Sequence, residues 1–404
     1  MKILIINPFD KIPGENFRDQ RYTFLYYELK NRGYDVTWVT ADYHHWSHKA
    51  RKKEIIPDKY KNDFKIIKTL HYKNNISLKR FFSHFLFSIS CFLYLMKSKK
   101  RYDYVFTIAP SENLFLSTLY VTIKKSKLII DVLDLWPDLF EQALPVHMRR
   151  VGSFLLRPLH WMSNFSYKRA FHITAVSKQY MNVALTRSKR EDKENFSYHY
   201  LGGPKNDFKF NDNKSKKTLK CLFAGQFGHN YDIELILETA LQLKNNKNES
   251  VLFYLAGDGL KMDKVKSFIK DNSLDNVKLL GWLDSKELIE VAIDCHVGLN
   301  TYKKAATQSI PTKIFDYMSL GLCVLNSLKG EASFLVNNEL KGSNYEAENL
   351  DDFYENIINL QANLVEVINN GKSSQIIFLK KYSFDKIYHN MIREVLLIIL
   401  FLTF

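Results

Sequence analysis

The segment QSIPTKIFDYMSLG near the middle of the second half has the clearest potential for chemistry. Pro311 suits the start of a helix, and Ser309 or Thr312 can cap it. The free N–H groups of that helix start, the helix dipole and Lys313 together favour a diphosphate. Asp316 follows one turn later, where a carboxylate can accept hydrogen bonds from both hydroxyls of a ribose. The segment predicts a nucleotide-diphosphate site, with a capped surface helix as the alternative.

Two glycine turns in the second half follow apolar strands and lead into helices. The first is Gly225-Gln226-Phe227-Gly228-His229, and the second contains Gly257. Turns of this kind let the backbone approach a nucleotide closely, although each one alone is weak evidence.

In the first half, candidate residues again follow strands. The loop after the first strand contains Gly14, which can admit an anion or a sugar or form a simple turn. Asp134 and Trp136 follow the fourth strand in the run DVLDLWPD. A carboxylate there can hold a hydroxyl proton, and the indole can stack on a sugar. The alternative is a helix N-cap beside a packed tryptophan.

Composition limits the class of protein. The chain has 404 residues, 46% of them hydrophobic, a net charge of +15 and four widely spaced cysteines. The length favours two domains, and the cysteine spacing favours buried thiols in a reducing cytosol over zinc or disulfides. The basic residues are spread along the chain without a nucleic-acid-binding motif, and an anionic membrane surface or a phosphorylated substrate explains the same charge, so composition alone does not choose among these partners. The apolar segment Phe81–Met96 is too short to span a bilayer and fits either a core helix or a helix lying on the membrane.

Apolar strand patterns alternate with helical patterns along the chain, which predicts α/β architecture with parallel sheets. Strands are predicted at 2–6, 35–40, 104–108, 127–131, 172–175, 219–224, 252–256, 277–280, 296–299 and 323–326. Helices are predicted at 18–32, 78–97, 112–124, 151–169, 178–184, 233–244, 261–271, 285–292, 312–320 and 383–402. The run at 201–218 reads as a connector between two similar halves. We therefore expect two doubly wound, Rossmann-like domains that face each other across a central cleft.

In chain order, several segments resemble the retaining glycosyltransferases of family 4, which have the GT-B fold. The pieces that carry the resemblance are the Pro/Gly loop with Arg18, DLWPD at 134–138, ITAVS at 173–177, LGG at 201–203, FAGQFG at 223–228, LAGDG at 255–259, LGW at 280–282 and PTKIFDYMSLGLCV at 311–324. The similarity extends over essentially the whole chain. It implies an acceptor-binding domain at 1–200, a linker at 201–218, a donor-binding domain at 219–375, and a final helix at 376–404 that packs back toward the first domain.

The resemblance also implies roles for single residues. Asp134, Lys313 and Gln308 would be catalytic. The donor would be bound by Gly225, Gln226, Gly228, His229, Gly257, Trp282, Leu283, Ser309, Ile310, Thr312, Lys313 and Asp316. The acceptor would be bound by Gly14, Glu15, Arg18 and Trp136.

Two positions depart from the family pattern. The family often has two glutamates eight positions apart, where this chain has Gln308 and Asp316. Many relatives carry an arginine after the strand-end glycine, where this chain has Gln226. Lys313 or His229 is therefore expected to neutralise the leaving diphosphate.

The DLWP motif implies a bacterial enzyme that builds O-antigen, capsule or exopolysaccharide. Such an enzyme would transfer a sugar from a nucleotide-diphosphate donor, expected to be UDP-linked, to a polyprenyl-diphosphate-linked saccharide. No metal or other cofactor is required, and we expect peripheral association with the inner face of the plasma membrane. A sugar-nucleotide epimerase of the same fold and an inactive glycan-binding relative remain as alternatives, and a nucleic-acid binder is the least favoured.

Overall fold

The computed structural model describes every residue except 17, 46, 73–76, 206–208 and 402–404, and it describes only the backbone of 139, 142, 143, 146 and 397–401. It divides into two compact units. The first is Met1–Tyr200 with Tyr388–Phe404, and the second is Leu201–Ile387.

The first unit is built on a seven-stranded sheet in which every pairing is parallel. The chain forms β1 (Lys2–Ile6), β2 (Asp35–Ala41), β3 (Tyr43–His44), β4 (Lys49–Ala50), β5 (Phe64–Ile67), β6 (Tyr104–Ile108), β7 (Lys127–Val132), β8 (His172–Ala175) and β9 (Phe196–Tyr198). The order in the sheet is β5-β2-β1-β6-β7-β8-β9, and β3 pairs with β4 in a separate hairpin. Central strands such as β6 are buried along their whole length because helices cover both faces of a parallel sheet.

The helices of this unit are α1 (Arg21–Asn31), α2 (Leu78–Lys97), α3 (Ser111–Lys124), α4 (Asp138–Ala143), α5 (Arg149–Arg169) and α6 (Lys178–Ser188). Helix α2 begins at a serine cap, since the Ser77 hydroxyl accepts a hydrogen bond from the Arg80 N–H at 3.2 Å. Helix α1 is fixed to β7 by the buried pair of Arg21 and Asp131, with Nε–Oδ2 at 2.7 Å.

The second unit repeats the architecture with six parallel strands. They are β10 (Leu219–Ala224), β11 (Val251–Ala256), β12 (Val277–Gly281), β13 (Val297–Asn300), β14 (Cys323–Asn326) and β15 (Ser343–Asn344), in the order β12-β11-β10-β13-β14-β15. Its helices are α7 (Ile233–Asn245), α8 (Met262–Asp271), α9 (Ser285–Ala292), α10 (Thr312–Ser319), α11 (Glu331–Asn338), α12 (Leu350–Ala362) and α13 (Leu364–Ile377). A last helix, α14 (Phe384–Phe401), follows, and the chain from Tyr388 onward groups with the first unit.

The sequence predictions of α/β class and parallel sheets are confirmed, and each predicted strand overlaps an observed one. The strands β3, β4, β5, β9 and β15 and the helices α4, α11, α12 and α13 were not predicted. The first helix was predicted to begin at Arg18 but begins at Arg21, because the preceding Gln20 has an extended backbone. The prediction for the last helix ran to Leu402, which lies outside the described residues.

Helix α2 matches the predicted bounds and divides its apolar residues between two faces. It buries His84, Phe87, Cys91 and Leu95, whereas Phe82 and its neighbours on the other face are exposed. The core-helix interpretation therefore holds for the buried face, and contact of the exposed face with a membrane stays a prediction. Among the described residues, no helix is long and apolar enough to cross a membrane.

Candidate functional site

In the second unit the strand order reverses between β10 and β13, which is the point where open parallel sheets bind ligands. Tyr317 of helix α10 forms hydrogen bonds to the carboxyl-terminal parts of both β10 and β13. The Tyr317 hydroxyl accepts a hydrogen bond from the Ala224 N–H at 3.1 Å and donates one to the Leu299 carbonyl at 3.1 Å. Gly298 leaves the room that the Tyr317 ring occupies. The start of α10 is thus held at the predicted ligand position.

Lys313 lies one turn before Tyr317 and therefore on the same face of α10. Its Nζ is 3.9 Å from the ring centre of Phe223 and 3.7 Å from that of Tyr231. The Nζ is buried and has no hydrogen-bond partner among the described residues. Burial lowers the pKa of Lys313 well below its ordinary value, and the nearby Asp316 opposes that shift. The site holds a cation-forming group that lacks a counter-charge in direct contact.

Three further buried oxygens, on residues from the last position of β13 to the loop before α10, have no partner among the described residues. They are Asn300 Oδ1, Thr301 Oγ1 and Gln308 Oε1. Buried polar atoms in folded proteins are nearly always hydrogen-bonded, so a concentration of unpaired ones indicates where a ligand or water completes the structure. Gln308 was predicted from sequence, whereas Asn300 and Thr301 were not.

The two glycine turns pack directly against each other. The Gly225 N–H donates to the Ala256 carbonyl at 2.9 Å, and the Gly257 N–H donates to the Gly281 carbonyl at 2.6 Å. A Cβ at Gly225, where φ is +152°, would overlap Lys313 Nζ, and one at Gly257, where φ is +148°, would overlap the Gly225 carbonyl. Glycine at 225 therefore makes the space for the lysine, and glycine at 257 makes the space for that turn.

The capping expected of Ser309 and Thr312 is wrong. Pro311 is the N-cap residue, and no side chain makes a cap hydrogen bond there. The Ser309 hydroxyl instead donates to Glu331 Oε2 at 3.2 Å. Since no capping side chain occupies the start of α10, the N–H groups of Thr312 and Lys313 keep the capacity to bind an anion, whereas that of Ile314 donates to the Pro311 carbonyl at 3.2 Å.

The other predicted donor residues differ in their exposure. Gln226, His229 and Trp282 are exposed, whereas Asp316, Gly228 and Leu283 are half-buried and Ile310 is buried. Gly321 follows the end of α10 as expected, and its N–H donates a hydrogen bond to the Met318 carbonyl at 3.0 Å. The binding roles of these residues stay predictions.

In the first unit, Asp134 and Trp136 lie in the loop after β7. The Arg80 guanidinium carbon is 5.5 Å from the ring centre of Trp136. Desolvation by the surrounding protein raises the pKa of Asp134 to about 6, although the residue keeps contact with solvent, and Arg80 opposes the shift. The alternative of a helix cap is not observed, since α4 follows Pro137 without a side-chain cap and Asp138 pairs with Arg187.

The predicted acceptor residues near the start of the chain have different surroundings. Gly14 and Arg18 are exposed, but Glu15 is buried. Glu15 Oε1 accepts a hydrogen bond from Arg51 Nε at 3.0 Å, and Oε2 accepts one from the Ile12 N–H at 2.8 Å. Direct binding of a ligand by Glu15 would require breaking this pair.

Arg80, Tyr231 and Glu112 were not predicted from the sequence. Arg80 contacts Trp136 in the first unit and Tyr231 contacts Lys313 in the second, and neither lies in a motif. Glu112 is the second residue of α3, which follows β6, and a polar residue just beyond a strand end is a signal that could have indicated it. Among the described residues no group of three or more His, Cys, Asp or Glu side chains could hold a metal ion.

Comparison with known proteins agrees with this geometry. Residues 218–363 match the family described as Glycosyl transferases group 1, so the second unit contains the signature of that family. No curated protein matches the sequence.

Solved structures similar to the chain share the GT-B fold of glycosyltransferases. The structure of Anabaena Alr3699/HepE in complex with UDP has a TM-score of 0.68 at 16% identity and covers 97% of this chain and 98% of its own. Sucrose-phosphate synthase from Thermosynechococcus elongatus has a TM-score of 0.68 at 15% identity, with 100% of both chains covered. The lipopolysaccharide outer core galactosyltransferase WaaB has a TM-score of 0.66 at 13% identity, with 98% of this chain and 99% of its own covered.

Proposed function

We propose that the protein is a retaining glycosyltransferase of family 4. It transfers a sugar from a nucleotide-diphosphate donor, expected to be a UDP-sugar, to a hydroxyl of a lipid-linked saccharide. The observation that supports this most is the buried Lys313 Nζ, unpartnered among the described residues, where β10 and β13 diverge. The group 1 signature at 218–363 and the UDP and UDP-glucose bound to the similar HepE structures support the same donor.

In this proposal the donor is held by the second unit. Lys313 and the first-turn N–H groups of α10 stabilise the leaving diphosphate, which needs no metal. Asp316 accepts hydrogen bonds from the ribose hydroxyls, and Gln308 contacts the donor sugar. Burial lowers the pKa of Lys313 in the free protein, and a diphosphate placed beside it would favour the charged form again, so binding of the donor and protonation of the lysine support each other.

Asp134 acts on the acceptor side. The acceptor oxygen forms a bond to the anomeric carbon, and the bond from that carbon to the diphosphate breaks with its electron pair. The proton of the acceptor hydroxyl passes to the Asp134 carboxylate. Trp136 offers an aromatic face for the acceptor sugar.

The acceptor is proposed to be a polyprenyl-diphosphate-linked saccharide at an anionic membrane. Helix α3 packs against both α2 and α5, and these helices expose several large apolar side chains. The most exposed are Leu78, Phe82, Val151, Phe154, Leu155 and Trp161. Arg149, Arg150, Arg157, Lys168 and Arg169 on α5 add positive charge beside them. Apolar side chains flanked by cations suit the interface of an anionic leaflet.

A bacterial surface polysaccharide is the proposed product. The similar WaaB and WaaG structures are described as lipopolysaccharide enzymes, which supports this pathway class for the chain.

The enzymatic proposal is tested by incubating the protein with several sugar nucleotides, with and without lipid-linked saccharide. Acceptor-dependent release of free nucleotide is expected, whereas inversion of the donor sugar would indicate an epimerase and no reaction a binding protein. Asp316→Ala should abolish turnover in a folded protein. Wild type should also bind UDP about tenfold more tightly than 2′-deoxy-UDP, and Asp316→Ala should lose this difference. Near-normal turnover by Asp316→Ala would exclude its assigned role.

Membrane association is tested by sedimentation with vesicles of phosphatidylglycerol and phosphatidylcholine. Replacing Phe154 and Leu155 by serine should lower the bound fraction severalfold. Phe334→Ser, which alters an equally exposed phenylalanine of the second unit, is the matched control. Equal binding by both variants would contradict the proposed surface.

A further inference from the structure

Lys313 directs its amine into the protein at the start of α10. Part of the residue is exposed, yet Nζ is closed to solvent and has no hydrogen-bond partner in the described part of the chain. Lysine side chains ordinarily do the opposite, since they bury the apolar stem and keep the ammonium in water. The contacts of Nζ show what holds this inverted arrangement.

Two aromatic rings and a glycine enclose the amine. Nζ lies 3.9 Å from the ring centre of Phe223 and 3.7 Å from that of Tyr231. Gly225 also adjoins the amine, because a Cβ at that position would lie 2.3 Å from Nζ and 2.5 Å from Cε. We call Phe223, Tyr231 and Gly225 together the lysine box.

Tyr231 is the outer wall of the lysine box and is held firmly. It is half-buried, whereas Phe223 is fully buried. The Tyr231 hydroxyl shares a hydrogen bond with the Tyr302 hydroxyl at 3.2 Å, and the Tyr231 carbonyl accepts one from Lys261 Nζ at 3.0 Å. Lys313 has a flexible four-carbon stem and no such bond at its end. The lysine, and not the tyrosine, is therefore the side chain that can leave this contact.

The lysine box suits an ammonium less well than a phosphate does. Aromatic faces attract a cation, but they do not replace the hydrogen bonds that its N–H groups make in water. Burial there lowers the pKa of Lys313 well below its ordinary value. A phosphate oxygen carries the opposite charge and also accepts hydrogen bonds. It cannot contact Nζ while the amine is enclosed, so pairing with a diphosphate requires the side chain to turn outward.

We propose that Tyr231 is a positioning residue that, together with Phe223, holds Lys313 in a resting position, from which the donor diphosphate draws the amine out. The proposal rests on the donor site proposed above and adds a step to donor binding. Leaving the rings costs free energy, so the resting position lowers the apparent affinity for the donor. Tyr231 acts through Lys313 and does not touch the reacting atoms.

The first test follows the position of Lys313 by NMR. In protein labelled with ¹³C at the lysine Cε, the Lys313 signal should be shifted upfield, because Cε is bonded to the nitrogen that lies over two rings. Lys313→Met identifies the signal by removing it. Saturation with UDP should return the signal to the ordinary lysine position. A signal that stays upfield with UDP bound would overturn the proposal.

The same signal tests the role of Tyr231 in the free protein. Tyr231→Leu removes one wall of the lysine box, so the Lys313 signal should move toward the ordinary lysine position. Tyr254→Leu, which alters another half-buried tyrosine of the second unit, is the matched control and should leave the signal unchanged. An unchanged signal in Tyr231→Leu would rule out the assigned role. The measurement with UDP uses wild type and stands even if Tyr231→Leu does not fold.

UDP affinity distinguishes a resting position from a position that prepares the lysine for the donor. Tyr231→Leu should bind UDP roughly fivefold more tightly, if the lost contact stabilises the resting position by about 1 kcal/mol. The same change in Lys313→Met should not alter UDP affinity, because no amine is left to hold. Weaker binding by Tyr231→Leu only when Lys313 is present would mean that the ring prepares the lysine for the donor, which contradicts the proposal.

Failure of the proposed function gives a different result from failure of this inference. Wild type that binds no UDP would overturn both. Wild type that binds UDP and transfers sugar, while the Lys313 signal stays upfield, would overturn the resting position alone.

Discussion

Each unit reverses its strand order once, between β1 and β6 in the first and between β10 and β13 in the second. At the second reversal, α10 presents Lys313 with its Nζ buried against two aromatic rings. At the first, α3 begins with the buried carboxyl of Glu112, and Asp134 follows the neighbouring strand β7. The same topology thus places a buried cation-forming group, Lys313, near the reversal in the second unit and a buried carboxyl group, Glu112, near the reversal in the first.

This difference fits the two halves of a transfer reaction. A leaving diphosphate needs positive charge, whereas an acceptor hydroxyl needs a group that can take its proton. Burial moves the pKa of Lys313 down and that of Glu112 up, and the protein around the exposed Asp134 raises its pKa as well. The scaffold supplies the position, and the side chain placed there supplies the chemistry.

The largest effect is expected from Lys313→Met. Loss of the diphosphate partner should lower kcat/KM by roughly 10²- to 10³-fold and weaken UDP binding. Stability should be unchanged or higher, because the variant removes a buried charge-forming group that has no direct partner. Enzyme kinetics and thermal unfolding measure the two effects.

Lys329→Met is the control for Lys313→Met, since Lys329 is exposed in the loop after β14. A fully active Lys313→Met variant would make the lysine structural and would remove the contrast between the units.

The location of Lys313 could be predicted from sequence, but its surroundings could not. A proline before a polar helix start predicts an anion site locally. The rings of Phe223 and Tyr231 reach Lys313 only through the packing of α10 on the sheet, and Arg80 reaches Trp136 only through the packing of α2. Contacts between distant segments leave no local pattern in a single sequence.

The difference between local patterns and tertiary contacts also explains which strands and helices were not predicted from the sequence. Apolar strands such as β1 and β10 can be recognised from their composition. The edge strands β5 and β9 have only four and three residues, which is too short for a clear pattern. Helix α13 contains Gly371, which lowers local helix propensity. A Cβ at Gly371 would overlap the Gly321 carbonyl, so close packing of the helix requires the glycine. Tertiary structure there overrides the local preference.

The next largest effect is expected from Asp134→Asn. Under the proposed function, loss of the proton acceptor should lower kcat by about 10²-fold while UDP affinity stays unchanged, because the proposal assigns the donor to the second unit. In wild type, Asp134 must be ionised to accept a proton. Since its pKa is raised to about 6, activity should rise with pH through about 6.

The control for Asp134→Asn is Asp58→Asn, a side chain that is 92% exposed. A variant at Asp134 that loses UDP affinity in parallel with kcat would contradict the separation of roles between the units.

The smallest effect is expected from Glu112→Gln. It tests whether a buried ionisable side chain near the strand-order reversal lowers the stability of the first unit, as is expected for Lys313 in the second. Glu112 is 4% exposed, and its Oε1 has no partner among the described residues. Burial raises its pKa from 4.5 to about 7. The protonated form is favoured by folding, so this stability is fully present below about pH 4.5 and is lost as pH rises through about 7.

Glu112→Gln should therefore match wild type near pH 5 and be more stable at pH 8, by at most roughly 3 kcal/mol. Hydrogen exchange of amides in β1 and β6 at the two pH values reports on the first unit alone. Glu194→Gln, at an exposed position of the same unit, should leave the pH dependence unchanged. If Glu112→Gln follows wild type at pH 8, the carboxylate has a compensating partner, and the first unit would not share the uncompensated burial seen at Lys313. If Glu112→Gln is more stable than wild type at pH 8, each unit keeps a destabilising ionisable side chain at its strand-order reversal. Selection for stability would not keep such a side chain, whereas a role in binding or catalysis would explain it.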